Sequence, residues 1–232
     1  MYDQTLLLAI DTASEQSGIA LYDGGCLDEV AWSACHEQTV LLLDEIDHQL
    51  TRSKASIADL GVVAVATGPG RFNALRVGMS IAKGLVLGLD IPIVGISTMD
   101  AIAHPYRLGT MPVIAVIEAG RGRVVWQVFD AEDASASDAE TENTSIAALH
   151  ERVAGFRAGV CVTGEIPPGH VARLRHFDGV LVPPRSGRLG RAAAVAELAL
   201  NRWSAGDVDD PVTLEPVYLH GARVADIKGN AR

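Results

Sequence analysis

A two-lobed α/β fold is the class this chain predicts, and three observations predict it. Apolar residues make up 48% of 232 positions against 5% aromatic, with 23 glycines, the balance of a compact α/β chain and not of a disordered or fibrous one. Short apolar runs of strand length alternate with segments of helical period. An apolar run that ends in an acid and leads through a turn into a second strand occurs twice, at 6–11 and at 113–118. A chain of this length buries roughly 70% of its unfolded surface, so its core needs no disulfide or structural metal.

Each element follows from local chemistry. Residues 6–11 are an apolar strand, Asp11-Thr12-Ala13-Ser14 a polar turn, and residues 19–22 the returning strand of a hairpin. A third strand is expected at 26–33 after the turn Asp23-Gly24-Gly25, and helical period runs through 37–50. The unbroken apolar run 62–66 reads as a strand buried on both faces, and Gly68-Pro69-Gly70 turns it into a helix over 73–87. A strand at 91–95 and a short helix at 98–103 complete a first lobe, 1–104. Pro105, Gly109 and Pro112 mark the boundary. The second lobe, 105–232, opens with strands at 113–118 and 124–129 around a Gly-Arg-Gly-Arg turn. The acidic stretch 131–145 has no period and reads as a mobile loop. A helix at 146–154, a strand at 159–163, a bend at Pro167-Pro168 and a helix at 191–203 follow, with an irregular tail from 207.

Nineteen basic and 29 acidic residues leave a net charge of −10, which disfavours unaided binding to a phosphate backbone. Cys26, Cys35 and Cys161 have no paired spacing and fit reduced thiols. No export signal is expected at the N-terminus, and Lys83 and Asp90 interrupt the apolar region 81–96 before it reaches bilayer length. A soluble cytoplasmic protein without a membrane partner is expected.

Two turns are candidates for nucleotide binding. Asp11 and Thr12 end a strand beside hydroxyls and free N–H groups, a setting for a phosphate or its hydrated metal; an ordinary Asx turn has the same pattern. Gly68 and Gly70 precede a helix N-terminus, where an anion can be received; they equally permit a sharp turn and close packing. The phosphate-binding fingerprint is incomplete, because no Gly-Lys-Ser/Thr follows and Asn73 stands where a third glycine belongs. The seven histidines include no pair four apart, and no Gly-x-Ser-x-Gly elbow occurs, so neither a helical metal site nor a hydrolase nucleophile can be written. Cys35-His36 and the turn group Glu118, Arg121, Arg123 add little. Arg185, Arg188 and Arg191 form a basic run able to touch RNA phosphate or simply to face solvent.

Helix periodicity says more. On 39–50 the wheel places Leu42, Leu43, Ile46 and Leu50 on one core-facing stripe and Leu41 beside His48 on the opposite side. On 73–87, Arg76 and Lys83 share a narrow polar edge while apolar and small residues, among them Met79, Ala82 and Val86, fill the rest. That arc is far wider than the ~100° stripe a surface helix needs. It predicts either burial on both sides or a partner surface.

The order and spacing of these pieces resemble the TsaB (YeaZ) family. The resemblance rests on 8–14, on His36 leading into Leu41-Leu42-Leu43-Asp44, and on Thr67-Gly68-Pro69-Gly70 through Leu75-Arg76-Val77-Gly78. It continues through Ala82-Lys83-Gly84-Leu85 to 92–98, then thins to 113–129 and 215–219. It implies an actin-like, Hsp70-like and sugar-kinase-like fold of two duplicated lobes, each with a mixed sheet and helices. It also implies a noncatalytic subunit of the machinery for threonylcarbamoyl modification of tRNA adenosine, with no catalytic residue and no metal. Its partners would be the catalytic subunit TsaD and the small ATPase TsaE, with a homodimer formed alone and tRNA reached only through the complex. ATP would bind at most weakly or at a partner interface. The docking helices would be 37–50 and 73–87, with Leu41, His48, Met79, Ala82, Lys83 and Val86 at the interface. An active kinase or ATPase using Asp11 is the alternative, and a metallopeptidase comes last. Arg71, Phe72, Asn73 and Ala74 depart from the family's usual Ser-Phe-Thr-Gly, and Glu118 from its usual Asp.

Overall fold

The first strand, β1 (Leu6–Asp11), is apolar along both of its faces because it sits in the middle of a sheet and has no solvent side. It pairs antiparallel with β2 (Gln16–Tyr22), Ile10 opposite Ile19, and parallel with β4 (Leu60–Gly68), Ile10 opposite Val65. With β3 (Leu27–Ser33) and β5 (Ile93–Ser97) the sheet order is β3-β2-β1-β4-β5. A computed structural model describes residues 5–25, 27–33, 38–107, 109–131, 140–188 and 191–218. Cys26, Cys35, His36, Glu37, residues 132–139 of the acidic stretch and Leu219 of the family motif lie outside them.

Alternation along the strands decides which helix covers which face. Leu8, Ile10, Val63 and Val65 pack with Leu42, Ile46 and Leu50 of α1 (Gln38–Arg52) and with Met79, Ala82 and Val86 of α2 (Phe72–Leu89). Leu7, Ala9, Ala64, Ala66 and Val94 point the other way and receive Ala192, Val195, Ala196 and Ala199 of α6 (Arg191–Ser204). The result is a helix–sheet–helix lobe. Here the structure departs from the expected split at 104. One unit comprises Met1–Ala101 together with Leu189–Val217, and the other comprises Ile102–Arg188. The helix expected in the second lobe therefore belongs to the first. Its alanine face fits the small-residue face of this sheet, and burial of that face outweighs position along the chain.

The wheel for α1 also needs one correction. Leu43 is 49% exposed, because a step of 100° carries it out of the stripe set by Leu42. The position seven after Leu42 is filled by buried Gln49, whose Nε2 donates to the Asp28 carbonyl at 2.7 Å. α2 is the one described helix long and apolar enough to cross a bilayer by length and composition. Leu75, Met79, Ala82 and Val86 are nevertheless buried in the protein core. The tail is also less irregular than its composition predicts: Asp209 N–H donates to Ile93 O at 2.9 Å and Val217 N–H to Thr67 O at 2.7 Å.

A short helix, α3 (Thr98–Ala103), follows β5. The second unit repeats the plan of the first. β6 (Val113–Gly120) and β7 (Arg123–Phe129) form the antiparallel hairpin, β9 (Val160–Gly164) pairs parallel with β6, and with β8 (Glu142–Ser145) and β10 (Val180–Leu181) the order is β10-β9-β6-β7-β8. Read from the other edge, this is the order of the first sheet, which is the duplication the sequence predicted. β8 corrects only the last four residues of the loop expected over 131–145. Its polar residues pair at a sheet edge, where Trp126 Nε1 donates to Thr144 Oγ1 at 2.9 Å. Ser145 then caps α4 (Ile146–Ala154), accepting from Ala148 N–H. The expected bend at Pro167-Pro168 is the start of α5 (Pro168–Leu174), since proline suits the first helical position. β10 (Val180–Leu181) closes the sheet.

Candidate functional site

The two turns singled out in the sequence meet in the first unit. Arg71 N–H, just after Gly70, donates to Ala13 O at 2.7 Å. A Cβ on Gly70 would stand 2.2 Å from that same oxygen, so only glycine permits the contact. Gly68 adopts φ +107°, a conformation that side chains other than glycine rarely take. Thr12 Oγ1 donates to Ala74 O at 2.7 Å and lies over Gly78, where a Cβ would come within 2.3 Å of it.

Asp11 is 2% exposed and its carboxylate is fully engaged. Oδ1 accepts from Ala13 N–H at 2.9 Å, and Oδ2 accepts from Arg191 Nε at 2.6 Å. Arg191 also donates through Nη2 to Ser14 Oγ at 2.5 Å and to Gln16 O at 3.1 Å. Where the sequence left room for a hydrated metal or a phosphate, a guanidinium from α6 faces the acid. Arg191 was expected in a surface run, and its role had no signal in the sequence because 180 residues separate the pair.

Glu29 of β3 holds the same end of α6, accepting Ala193 N–H at 3.0 Å. Burial pushes its carboxyl above the usual glutamate value of 4.5; the N–H groups of Ala193 and Ala192 oppose the shift and the Asp11 charge adds to it. The folded chain thus favours the protonated form. This group's stabilisation is complete below pH 4.5 and is lost as pH rises through the raised folded value. Glu29→Gln is expected to flatten that slope, which urea titrations from about pH 4 to about pH 7 would measure.

The outward sides of α1 and α2 form the second candidate. Both helices cover the same face of the sheet. Leu41 is 37% exposed, Phe72 44% and Leu87 64%; with Leu43 they are large apolar side chains facing water. Gly84 and Gly88 on the same side of α2 have open space where a Cβ would project. Of the interface residues expected from sequence, Leu41 and His48 face solvent and Lys83 is half-exposed. Met79, Ala82 and Val86 do not reach the surface: at 4%, 0% and 2% exposure they pack on the sheet. Phe72, Leu43 and Leu87, which the sequence does not place on an outward face, are exposed. The 100° step contained the signal for Leu87, which falls beside Ser80 and Gly84 and away from Met79. Met79→Asp or Val86→Asp is therefore expected to abolish the cooperative unfolding transition by more than about 4 kcal/mol, seen as loss of a thermal transition in circular dichroism. A folded monomer is not expected from either.

Among the described residues no group of three or more His, Cys, Asp or Glu could hold a metal ion. His150 and His170, twenty apart in sequence, do come together with ring centroids 5.2 Å apart. Burial pushes the Cys161 thiol up to about 11, which leaves little thiolate at neutral pH. Glu118, Arg121 and Arg123 lie on the exposed β6–β7 turn, where Arg121 takes φ +54°.

The family described as TsaD, tRNA N6-adenosine threonylcarbamoyltransferase, matches residues 8–151. Over 129 residues the chain is 34% identical to the tRNA threonylcarbamoyladenosine biosynthesis protein TsaB of Escherichia coli (strain K12), covering 55% of this chain and 56% of that protein. It is 39% identical over 88 residues to a tRNA N6-adenosine threonylcarbamoyltransferase of Syntrophotalea carbinolica, covering 38% of this chain and 25% of that one. The chain thus spans about half the length of the TsaB relative. The structure of YeaZ from Pseudomonas aeruginosa superposes with a TM-score of 0.75 at 24% identity, over 93% of this chain and 100% of that one. That likeness extends the shared fold through the second unit. The chain belongs to the tRNA N6-adenosine threonylcarbamoyltransferase family and, within it, is similar in sequence to the protein named TsaB.

Proposed function

We propose that this chain is a noncatalytic subunit of the machinery that places threonylcarbamoyl on tRNA adenosine. It docks on the catalytic threonylcarbamoyltransferase, TsaD, through the outward sides of α1 and α2, and it leaves the chemistry to that partner. The observation that carries the reading is the exposure of Leu41, Leu43, Phe72 and Leu87 on two neighbouring helices. Apolar side chains left facing water on the two helices that cover one face of the sheet support association through those helices. The engagement of Asp11 by Arg191 supports a subunit without phosphoryl chemistry of its own, since the acid that would hold a metal already has its counter-charge. In this reading the small ATPase TsaE joins the pair, ATP is handled by the partners, tRNA is met through the complex in the cytoplasm, and the chain alone pairs with itself on the same face.

The test is coexpression with TsaD followed by size-exclusion chromatography with light scattering. Co-elution as a defined complex is expected. Separate elution of two folded proteins, or rapid ATP turnover by this chain alone, overturns the reading.

A further inference from the structure

The second unit carries a basic cluster that neither the core nor the docking face uses. The sequence run Arg185, Arg188, Arg191 is not one patch: Arg191 is committed to Asp11, and Arg175 stands with the other two instead. All three lie at the carboxyl edge of the parallel strands. Arg188 Nη1 donates to the carbonyl of Gly164, the last residue of β9, at 3.0 Å. Arg175 Nη2 donates to Val182 O, just past β10, at 3.0 Å. Arg185 opens the short turn Arg185–Arg188, which Tyr106 holds by donating its hydroxyl to Gly187 O at 2.6 Å. The chain leaves β6 toward β7 on one side and β9 toward β10 on the other. The carboxyl ends of β6 and β9 therefore flank the point where strand order reverses, the position at which open α/β sheets receive ligands.

The cluster is electrostatically incomplete. Among the described residues no carboxylate reaches ion-pair distance of any of the three guanidinium groups. Arg188 Nε is closed off from solvent, so the side chain would meet a ligand through the outer nitrogens of its guanidinium. Burial, with the charges of Arg175 and Arg185, lowers the Arg188 pKa below its usual value. An oxyanion with several acceptor oxygens relieves the mutual repulsion of the three guanidinium groups, and planar guanidinium forks match phosphate geometry. We propose that Arg175, Arg185 and Arg188 form a binding site for a phosphate group, carried by a nucleotide or by an RNA strand. The site lies wholly in the second unit and is independent of docking by α1 and α2.

The full chain is titrated calorimetrically with inorganic phosphate, adenosine monophosphate and a short RNA hairpin, and its melting temperature is followed with each probe. Phosphate and adenosine monophosphate are expected to bind in competition and to raise the melting temperature. Arg175→Gln with Arg185→Gln, both solvent-exposed and so compatible with the fold, is expected to weaken binding about tenfold or more. Arg188→Lys should retain more affinity than Arg188→Gln. Binding of the hairpin without a response to adenosine monophosphate supports the site and identifies a strand as the source of the phosphate. Binding of none of the three probes, or equal binding by the native chain and the Arg175→Gln, Arg185→Gln variant, overturns the proposal.

Discussion

Arg191→Met is expected to reduce unfolding free energy by about 3–5 kcal/mol, the largest single-residue loss anticipated outside the apolar core. Methionine keeps most of the volume of the stem but leaves the Asp11 carboxylate buried with only the Ala13 N–H for company. The same change withdraws the donors to Ser14 Oγ and Gln16 O. Asp11→Leu should be similarly damaging, because it strands the guanidinium. Paired with Asp11→Leu, however, Arg191→Met should cost less than the sum of the two single changes, since no unpaired charge then remains in the interior. Denaturant titration of the three variants measures the coupling. Strict additivity would mean that the ion pair does not organise the turn. A loss of this size is a large share of the 5–15 kcal/mol typical of a domain, so the single variants should also express poorly.

The second large effect is on association. Leu43→Asp and Leu87→Asp place charges on side chains that already face water, so the folded chain should change stability by no more than about 0.5 kcal/mol. If these residues enter an interface with TsaD, each charge becomes buried and unpaired there. Affinity should then fall by about 3 kcal/mol, more than a hundredfold. A pull-down with tagged TsaD, read beside the melting curve of each variant, separates this result from unfolding. Unimpaired capture by both folded variants would place the contact elsewhere. The contrast with Met79→Asp is informative, because that residue shares α2 with Leu87 but faces the sheet.

Legibility in the sequence tracked burial. β1 and β4 were visible because a central strand must be apolar on both faces, and α1 and α2 because an uninterrupted helical period persists for several turns. β8 was not visible: an edge strand made of Glu142, Asn143, Thr144 and Ser145 has no apolar face to announce it. α5 was hidden by prolines that read as a bend but open a helix. The width of the apolar arc on α2 points to Met79, Ala82 and Val86 as surface groups, yet they are buried against the sheet. Breadth of hydrophobicity does not say which part of the arc the sheet will cover.

By itself, the amino-acid order determined the repeated strand–turn–strand plan, the two lobes and the pair of apolar helices in the first half, since all of these depend on neighbours within a few residues. Only tertiary structure decided that α6 returns to the first sheet, that Arg191 answers Asp11, and that Arg175 rather than Arg191 stands with Arg185 and Arg188. Those outcomes depend on contacts between distant segments, where complementary volume and uncompensated charge select the partner and local periodicity has no influence.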